Sequence, residues 1–319
     1  MSTDAKEVPR IILGTMTLGK QVDPKEEAPM VHRFIEAGHH ELDTAYLYGD
    51  GKTEQVLGGI LKDVDLTRVS IATKANPRIE GHFRPETLKK QLETSLERMG
   101  VDSVDLFYLH QPHPETPIEQ TLEGAATLAE RGLYRELGLS NYSAWETAHI
   151  WHLCREHGWP LPTVYQGMYN AITREVEREL FPCLRALGMR FYAYNPLAGG
   201  MLTGKYSSIE DKPASWRFSG EMYRQRYWKE NVFDALEAIA GASETNGISM
   251  VSAALRWMLH HSCMDGGQGD GVILGASSMR QLEENLRSVT EPELPPAVTE
   301  AYDRAWEIIR PVCPKYFRP

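Results

Sequence analysis

Asp43 and Tyr48 share the segment LDTAYLYGD, Lys74 closes SIATK and His110 closes LFYLH. A carboxylate, a phenol, an ammonium and an imidazole can together pass a proton to a developing alkoxide, the species left when a carbonyl accepts hydride. Tyrosine ordinarily ionises near ~10, so a phenol used as the acid profits from an ammonium that favours its phenolate. In this reading Tyr48 is the acid, Lys74 lowers its pKa, Asp43 holds Lys74, and His110 orients the carbonyl oxygen. Singly, each residue has a commoner explanation: an ion pair for Asp43 or Lys74, core or surface packing for Tyr48, a structural hydrogen bond for His110. Only when one fold gathers them do they specify acid–base chemistry. None of this requires a metal, and no cluster with metal-ligand spacing is visible.

The elements that must position them alternate. Strand-like segments read RIILGTM (10–16), HELDTA (40–45), VSIATK (69–74), VDLFYLH (104–110), ELGLSN (136–141), TVYQGMYN (163–170), RFYAYNP (190–196) and VILGAS (272–277). Several are nearly continuous in hydrophobicity, as strands of a parallel sheet covered on both faces are. Between them lie amphipathic patterns. In 85–100, Leu88, Leu92, Leu96 and Met99 form one apolar stripe, with Pro85 at the start and Gly100 at the exit. Segment 117–132 repeats the plan, and 143–158 opens on Ser143 with Glu146 three residues on, a capping-box spacing. Eight strands alternating with helices predict an α/β fold, a (β/α)8 TIM barrel over one domain, 1–319. A doubly wound sheet is the rival, weakened by the lack of GxGxxG after the first strand. In the barrel, reactive side chains gather at the C-terminal strand ends, where Asp43, Lys74 and His110 stand. The rhythm slackens between 197 and 230, after the seventh strand, where a long aromatic-rich loop insertion reads as functional rather than disordered.

A net charge of −10 argues against nucleic acid or an anionic membrane surface as partner. An anionic ligand would need local cations. No apolar run approaches the ~18 residues of a membrane span, the first residues lack a signal-peptide core, and the separated cysteines Cys154, Cys183, Cys263 and Cys313 read as free thiols of a reducing cytoplasm.

The order LDTAxxYGD, TK, LFYLHxP, GLSN, YN and AYNPLAGG resembles the aldo-keto reductase superfamily over nearly the whole chain. NPLAGGMLTGKY, YRQRYWK, SAALRWMLHHS, VILGASSMRQLEENL and the terminal CPKYFR are similar to its aflatoxin-aldehyde and succinic-semialdehyde reductases. The resemblance implies a catalytic tetrad of Asp43, Tyr48, Lys74 and His110, NADPH as cofactor and a small-molecule aldehyde as substrate. It assigns Asp43, Ser140, Asn141 and Gln166 to the nicotinamide side, with Tyr194 stacked on the ring. Asn195, Pro196, Leu197, Gly199, Gly200, Leu202, Gly204 and Lys205 would wrap the pyrophosphate. Ser277, Ser278, Gln281, Glu284 and Asn285 would hold the adenosine end. One departure stands out: where many members carry Lys and, six residues later, Arg, this chain has Gly275 and Gln281. Selectivity for NADPH would then fall to Ser277, Ser278 and basic groups such as Arg217 or Arg280.

At the substrate end the resemblance points to His110, Tyr223, Arg226 and Arg318, with the C-terminal tail over the pocket. Two guanidinium groups can grip a carboxylate in bidentate geometry, so carboxylate-bearing aldehydes such as succinic semialdehyde are expected, with aromatic aldehydes and dicarbonyls beside them. Relatives of this kind are often homodimers. Two other uses of the same barrel stay open at this point: an NADPH-binding regulatory subunit of potassium channels, and an NADP-dependent alcohol or sugar dehydrogenase.

Overall fold

A computed structural model of the chain describes residues 6–212, 218 and 220–318. Eight parallel strands close into a barrel in chain order: β1 Arg10–Gly14, β2 Glu41–Asp43, β3 Ser70–Ala75, β4 Val104–Leu109, β5 Tyr134–Ser140, β6 Pro162–Met168, β7 Arg190–Tyr194 and β8 Gly271–Gly275. All eight predicted strands are present, so the barrel and not the doubly wound sheet is the fold. The bounds move by one or two residues at some ends. The expected 40–45 shortens to Glu41–Asp43, and beyond Met168 the chain turns into a bridge between Asn170 and Thr173.

The three helices expected from periodicity form at Pro85–Met99, Ile118–Glu130 and Ala144–His157. Pro85 occupies the first turn and Gly100 caps the end in the left-handed conformation. Ser143 and Glu146 form the reciprocal capping box.

Alternation along the strands divides the core in two. Ile12, Ala72, Leu106, Tyr108, Val164, Tyr192 and Ile273 fill the barrel itself, while a larger layer packs the outer faces of the strands against the helices. The interior leaves no space at Gly138: a Cβ there would sit 2.4 Å from the Tyr108 ring. Side chains that follow this filling upward along the same inward rows emerge at the C-terminal mouth. That is how the pleat of β2, β3, β5 and β6 delivers Asp43, Lys74, Ser140 and Gln166 to one place.

Candidate active site

Lys74 is fully buried, and its Nζ donates to Asp43 Oδ2 at 2.6 Å and to the Thr44 carbonyl at 2.7 Å. Asp43 also accepts from Gln166 Nε2 at 2.8 Å through its other oxygen. Tyr48 follows β2 in a short helical turn, Tyr48–Gly51, whose Gly49 and Asp50 take positive φ. That turn lays the phenol against the ammonium, with Lys74 Nζ 5.1 Å from the ring centroid. His110 is the residue after β4, and its ring meets that of Tyr48 edge-on at 6.1 Å. The quartet therefore meets at one point, with Asp43 and Lys74 beneath and Tyr48 and His110 facing the space above.

Burial disfavours the charged forms of Tyr48, Lys74 and His110. The Tyr48 phenol is pushed well above its ordinary value by burial and then by the Asp43 carboxylate. The phenol, expected below its ordinary value, therefore stands above it. The Lys74 ammonium is already paired with Asp43, and burial is the largest influence on the phenol. Burial also lowers the Lys74 pKa, against the Asp43 ion pair, which raises it. His110 is driven well below its usual value by burial first and by Lys74 next, so its imidazole is neutral. Its Nδ1 is buried without a hydrogen-bond partner among the described residues.

Above the quartet opens a cavity of about 710 Å³. Its lining includes Asp43, Tyr48, His110, Ser140, Asn141, Gln166, Tyr194, Asn195, Pro196, Leu197, Gly199, Gly200, Lys205, Tyr223, Arg226, Ser277, Gln281, Glu284, Asn285 and Arg318 from the sequence-predicted set. Lys74 lies behind Asp43 rather than in the wall. Leu202 is buried in the core, Gly204 ends the turn Ala198–Thr203 in the left-handed conformation, and Ser278 caps the helix Met279–Ser288 by accepting from the Gln281 amide. These three support the wall and do not face the cavity. Arg217 lies outside the described residues.

Local hydrogen bonds fix the wall. Asn141, at φ 64°, donates to the His110 carbonyl at 2.8 Å and accepts from the Tyr194 hydroxyl at 3.1 Å. Asn195, at φ 67°, accepts from the Gly199 amide at 2.6 Å and donates to the Tyr227 hydroxyl at 2.8 Å. Asparagine tolerates this left-handed geometry better than most residues. Gly199, at φ 70°, has no room for a side chain, since a Cβ would lie 2.7 Å from the Tyr223 ring. Tyr223 and Arg226 come from the inserted helix Glu221–Tyr227, anchored by a cluster of Tyr206, Phe218 and Trp228 rings with centroids 5.1–5.5 Å apart. The tail is pinned at Tyr316, whose hydroxyl donates to Glu179 and accepts from the Ala144 amide. Arg318 then reaches the wall, its amide on the Asn141 carbonyl at 2.9 Å and its guanidinium on Gln111 at 2.6 Å.

The family model for the aldo/keto reductase family matches residues 10–307. The chain belongs to the aldo/keto reductase family. Aflatoxin B1 aldehyde reductase member 2 of Mus musculus is 52% identical over 97% of this chain and 88% of its own length. The Homo sapiens aldo-keto reductase family 7 member A3 is 52% identical over 97% of each chain. An aldo-keto reductase of Pseudocercospora fijiensis is 41% identical over 88% of this chain and 97% of its own. This aldo-keto reductase is therefore an oxidoreductase, of a family that uses nicotinamide cofactors.

The residues present fit such a cofactor. Ser140, Asn141 and Gln166 place hydroxyl and amide groups beside the quartet, where a carboxamide needs donors and acceptors together. At the far end of the cavity Ser277, Arg280 and the N-terminus of Met279–Ser288 suit a phosphate. Gln281, at the position expected to weaken phosphate binding, turns its Oε1 to the Ser277 amide at 2.9 Å and hydroxyl at 3.0 Å, so it organises that turn.

Sequence reading overlooked several wall residues of this aldo-keto reductase: Met16, Thr17, Gln21, Asn76, Arg78, Ile79 and Met222. Met16, Thr17 and Gln21 follow β1, and Asn76 through Ile79 follow β3. The barrel rule that strand-following loops build the site was the available signal. No helix of the described residues is long and apolar enough to cross a membrane.

Proposed function

We propose that this chain reduces aldehydes with NADPH, that Tyr48 donates the proton, and that carboxylate-bearing aldehydes such as succinic semialdehyde are preferred. The observation that carries it is the pairing of a protonated, half-buried Tyr48 with a neutral His110 beside the Lys74–Asp43 ion pair. The aflatoxin B1 aldehyde reductases that the chain resembles make aldehydes the fitting substrate class.

NADPH, when bound, would supply the hydride that the carbonyl carbon accepts. Tyr48 gives its hydroxyl proton to the carbonyl oxygen as negative charge grows there. His110, neutral, can donate a hydrogen bond to the same oxygen without competing as an acid. The phenolate left on Tyr48 then faces the Lys74 ammonium, so Lys74 acts late, on the product of proton transfer. Asp43 keeps that ammonium charged in a site where burial opposes it. Gln166, Ser140 and Asn141 would hold the nicotinamide, Tyr194 would stack on its ring, and Asn195 through Gly200 with Lys205 would hold the pyrophosphate. Arg280, exposed at the wall, takes the place of the basic residues missing at Gly275 and Gln281. Arg226 and Arg318 hold the substrate carboxylate, and Tyr223 lies beside them.

The test is oxidation of NADPH followed at 340 nm with 4-nitrobenzaldehyde and succinic semialdehyde. Tyr48→Phe should lower kcat by about a hundredfold or more while cofactor binding, read by fluorescence quenching, persists. Cofactor binding by the wild type with no turnover of any aldehyde would sink the proposal.

A further inference from the structure

Arg78 lies in the loop after β3, and the acid–base quartet makes no use of it. It lines the cavity together with Arg226 and Arg318. The three guanidinium groups arrive from three separate segments: the β3 loop, the inserted helix Glu221–Tyr227, and the C-terminal tail. They are close enough to feel one another. Behind burial, Arg78 and Arg226 both push the Arg318 pKa below its usual value, and Arg78 and Arg318 both disfavour a charged His110.

The loop that carries Arg78 is held, not free. The Arg78 amide donates to Asn76 Oδ1 at 3.0 Å, and Gln91 clamps Asn76 through its amide at 2.7 Å and its carbonyl at 2.9 Å. Glu80, two residues along, is engaged by Lys90 at 3.1 Å and Gln91 at 2.6 Å. Among the described residues no carboxylate forms an ion pair with Arg78, Arg226 or Arg318. Of the acidic side chains in the wall, Asp43 is paired with Lys74, Asp50 is exposed and Glu284 stands at the adenosine end. Beside the arginines, Ile79 and Met222 turn apolar surface to the same space although they are 52% and 47% exposed.

One carboxylate has two oxygens and one charge, enough for a guanidinium fork or for two cations that share it. A third guanidinium over the same group would stay uncompensated next to two like charges. We infer that Arg78 is a third anion-binding residue, and that the pocket favours aldehydes whose tail carries two negative charges across a short apolar body. A phosphomonoester, doubly charged above its second pKa of about 6, and a pair of carboxylates share this chemistry. The inference rests on the aldehyde-reductase reading and extends the Arg226–Arg318 site.

The test compares kcat/KM for 4-carboxybenzaldehyde, 4-formylphenyl phosphate and 5-formylisophthalate in the wild type, Arg78→Met and Arg78→Lys, all at one ionic strength. The wild type should prefer at least one dianion over the monoanion by about tenfold. Arg78→Met should erase most of that ratio, chiefly through KM, whereas Arg78→Lys, which keeps the charge, should retain most of it. Which dianion loses more tells phosphate from dicarboxylate. A wild type indifferent to the second charge, or an Arg78→Met that lowers all three substrates in parallel, overturns the inference. Loss of the underlying reading looks different, because 4-nitrobenzaldehyde would then not be turned over at all.

Discussion

The two mouths of the barrel carry comparable sets of polar side chains and arrange them in opposite ways. At the N-terminal mouth Arg10 pairs with Glu41 at 3.0 Å, Tyr192 donates to Glu41 at 2.7 Å, and Arg190 grips Glu136 with bonds of 2.8 and 2.9 Å. Thr163 donates to the same carboxylate. These carboxylates and guanidiniums all have partners, and the ring borders solvent. Burial works against the charges of Glu136 and Arg190, but their mutual hydrogen bonds outweigh it and hold both in their charged forms. At the C-terminal mouth the ion pair Lys74–Asp43 is dry, and the groups above it are left with work to do. His110 Nδ1 is buried without a partner among the described residues, and Tyr48 faces the open cavity. Glu41 and Asp43 stand two residues apart on the same inward face of β2. What separates a structural ring from a reactive site is thus not residue type but incomplete pairing combined with desolvation.

Breaking one ion pair at each mouth sharpens the contrast. The largest effect is expected from Asp43→Asn, which strands a fully buried ammonium. Stability should fall by about 3 kcal/mol, the usual penalty for halving a buried pair, and kcat by roughly a thousandfold. Urea unfolding and the 340 nm assay read both. Turnover within tenfold of wild type would place the charge that matters elsewhere. At the other mouth Glu136→Gln removes the charge and one of the two acceptor oxygens of a partly exposed pair, and about 1 kcal/mol of stability should go with it. Its kcat should stay within about twofold, because the filled barrel interior separates the mouths and only groups at the reacting atoms change the barrier. A tenfold drop there would mean that the two mouths are coupled through the inward rows.

Sequence alone revealed the barrel because buried parallel strands are written as short apolar runs, and capped helices as stripes between Pro, Ser and Gly. Asp43, Lys74 and His110 were legible because the barrel makes strand ends chemically meaningful. Tyr48 was not legible on that ground. It sits five residues beyond Asp43 in a turn built on positive φ at Gly49 and Asp50; its loop position beside Asp43 made it a candidate acid, and the resemblance fixed that role. Arg78 escaped because its loop has no period and its partners arrive from residues 226 and 318. Leu202, Gly204 and Ser278 look in sequence like their cavity-lining neighbours, yet they face the core, end a turn or cap a helix. The direction of the Tyr48 shift was misjudged for a related reason. Sequence shows which charges are near in the motif, whereas desolvation depends on everything packed around them.

That misjudgement makes the smallest expected effect the most discriminating. Tyr48 must be protonated to act as the acid. Burial and Asp43 place its ionisation above the ordinary value, so the acidic form persists at least up to about pH 10. His110 must be neutral to stay out of the proton transfer. Burial and Lys74 place its protonation below the ordinary value, so the neutral form persists at least down to about pH 6.5. Between these limits neither group titrates, and kcat for reduction of a neutral aldehyde should be level within about twofold. The measurement is a pH–kcat profile with 4-nitrobenzaldehyde in saturating NADPH, with Glu136→Gln run alongside as the control from the other mouth. A rate that declines with a midpoint near pH 8 in both proteins would mean that Lys74 wins over burial once the site is filled. The ammonium would then act on Tyr48 before proton transfer rather than after it.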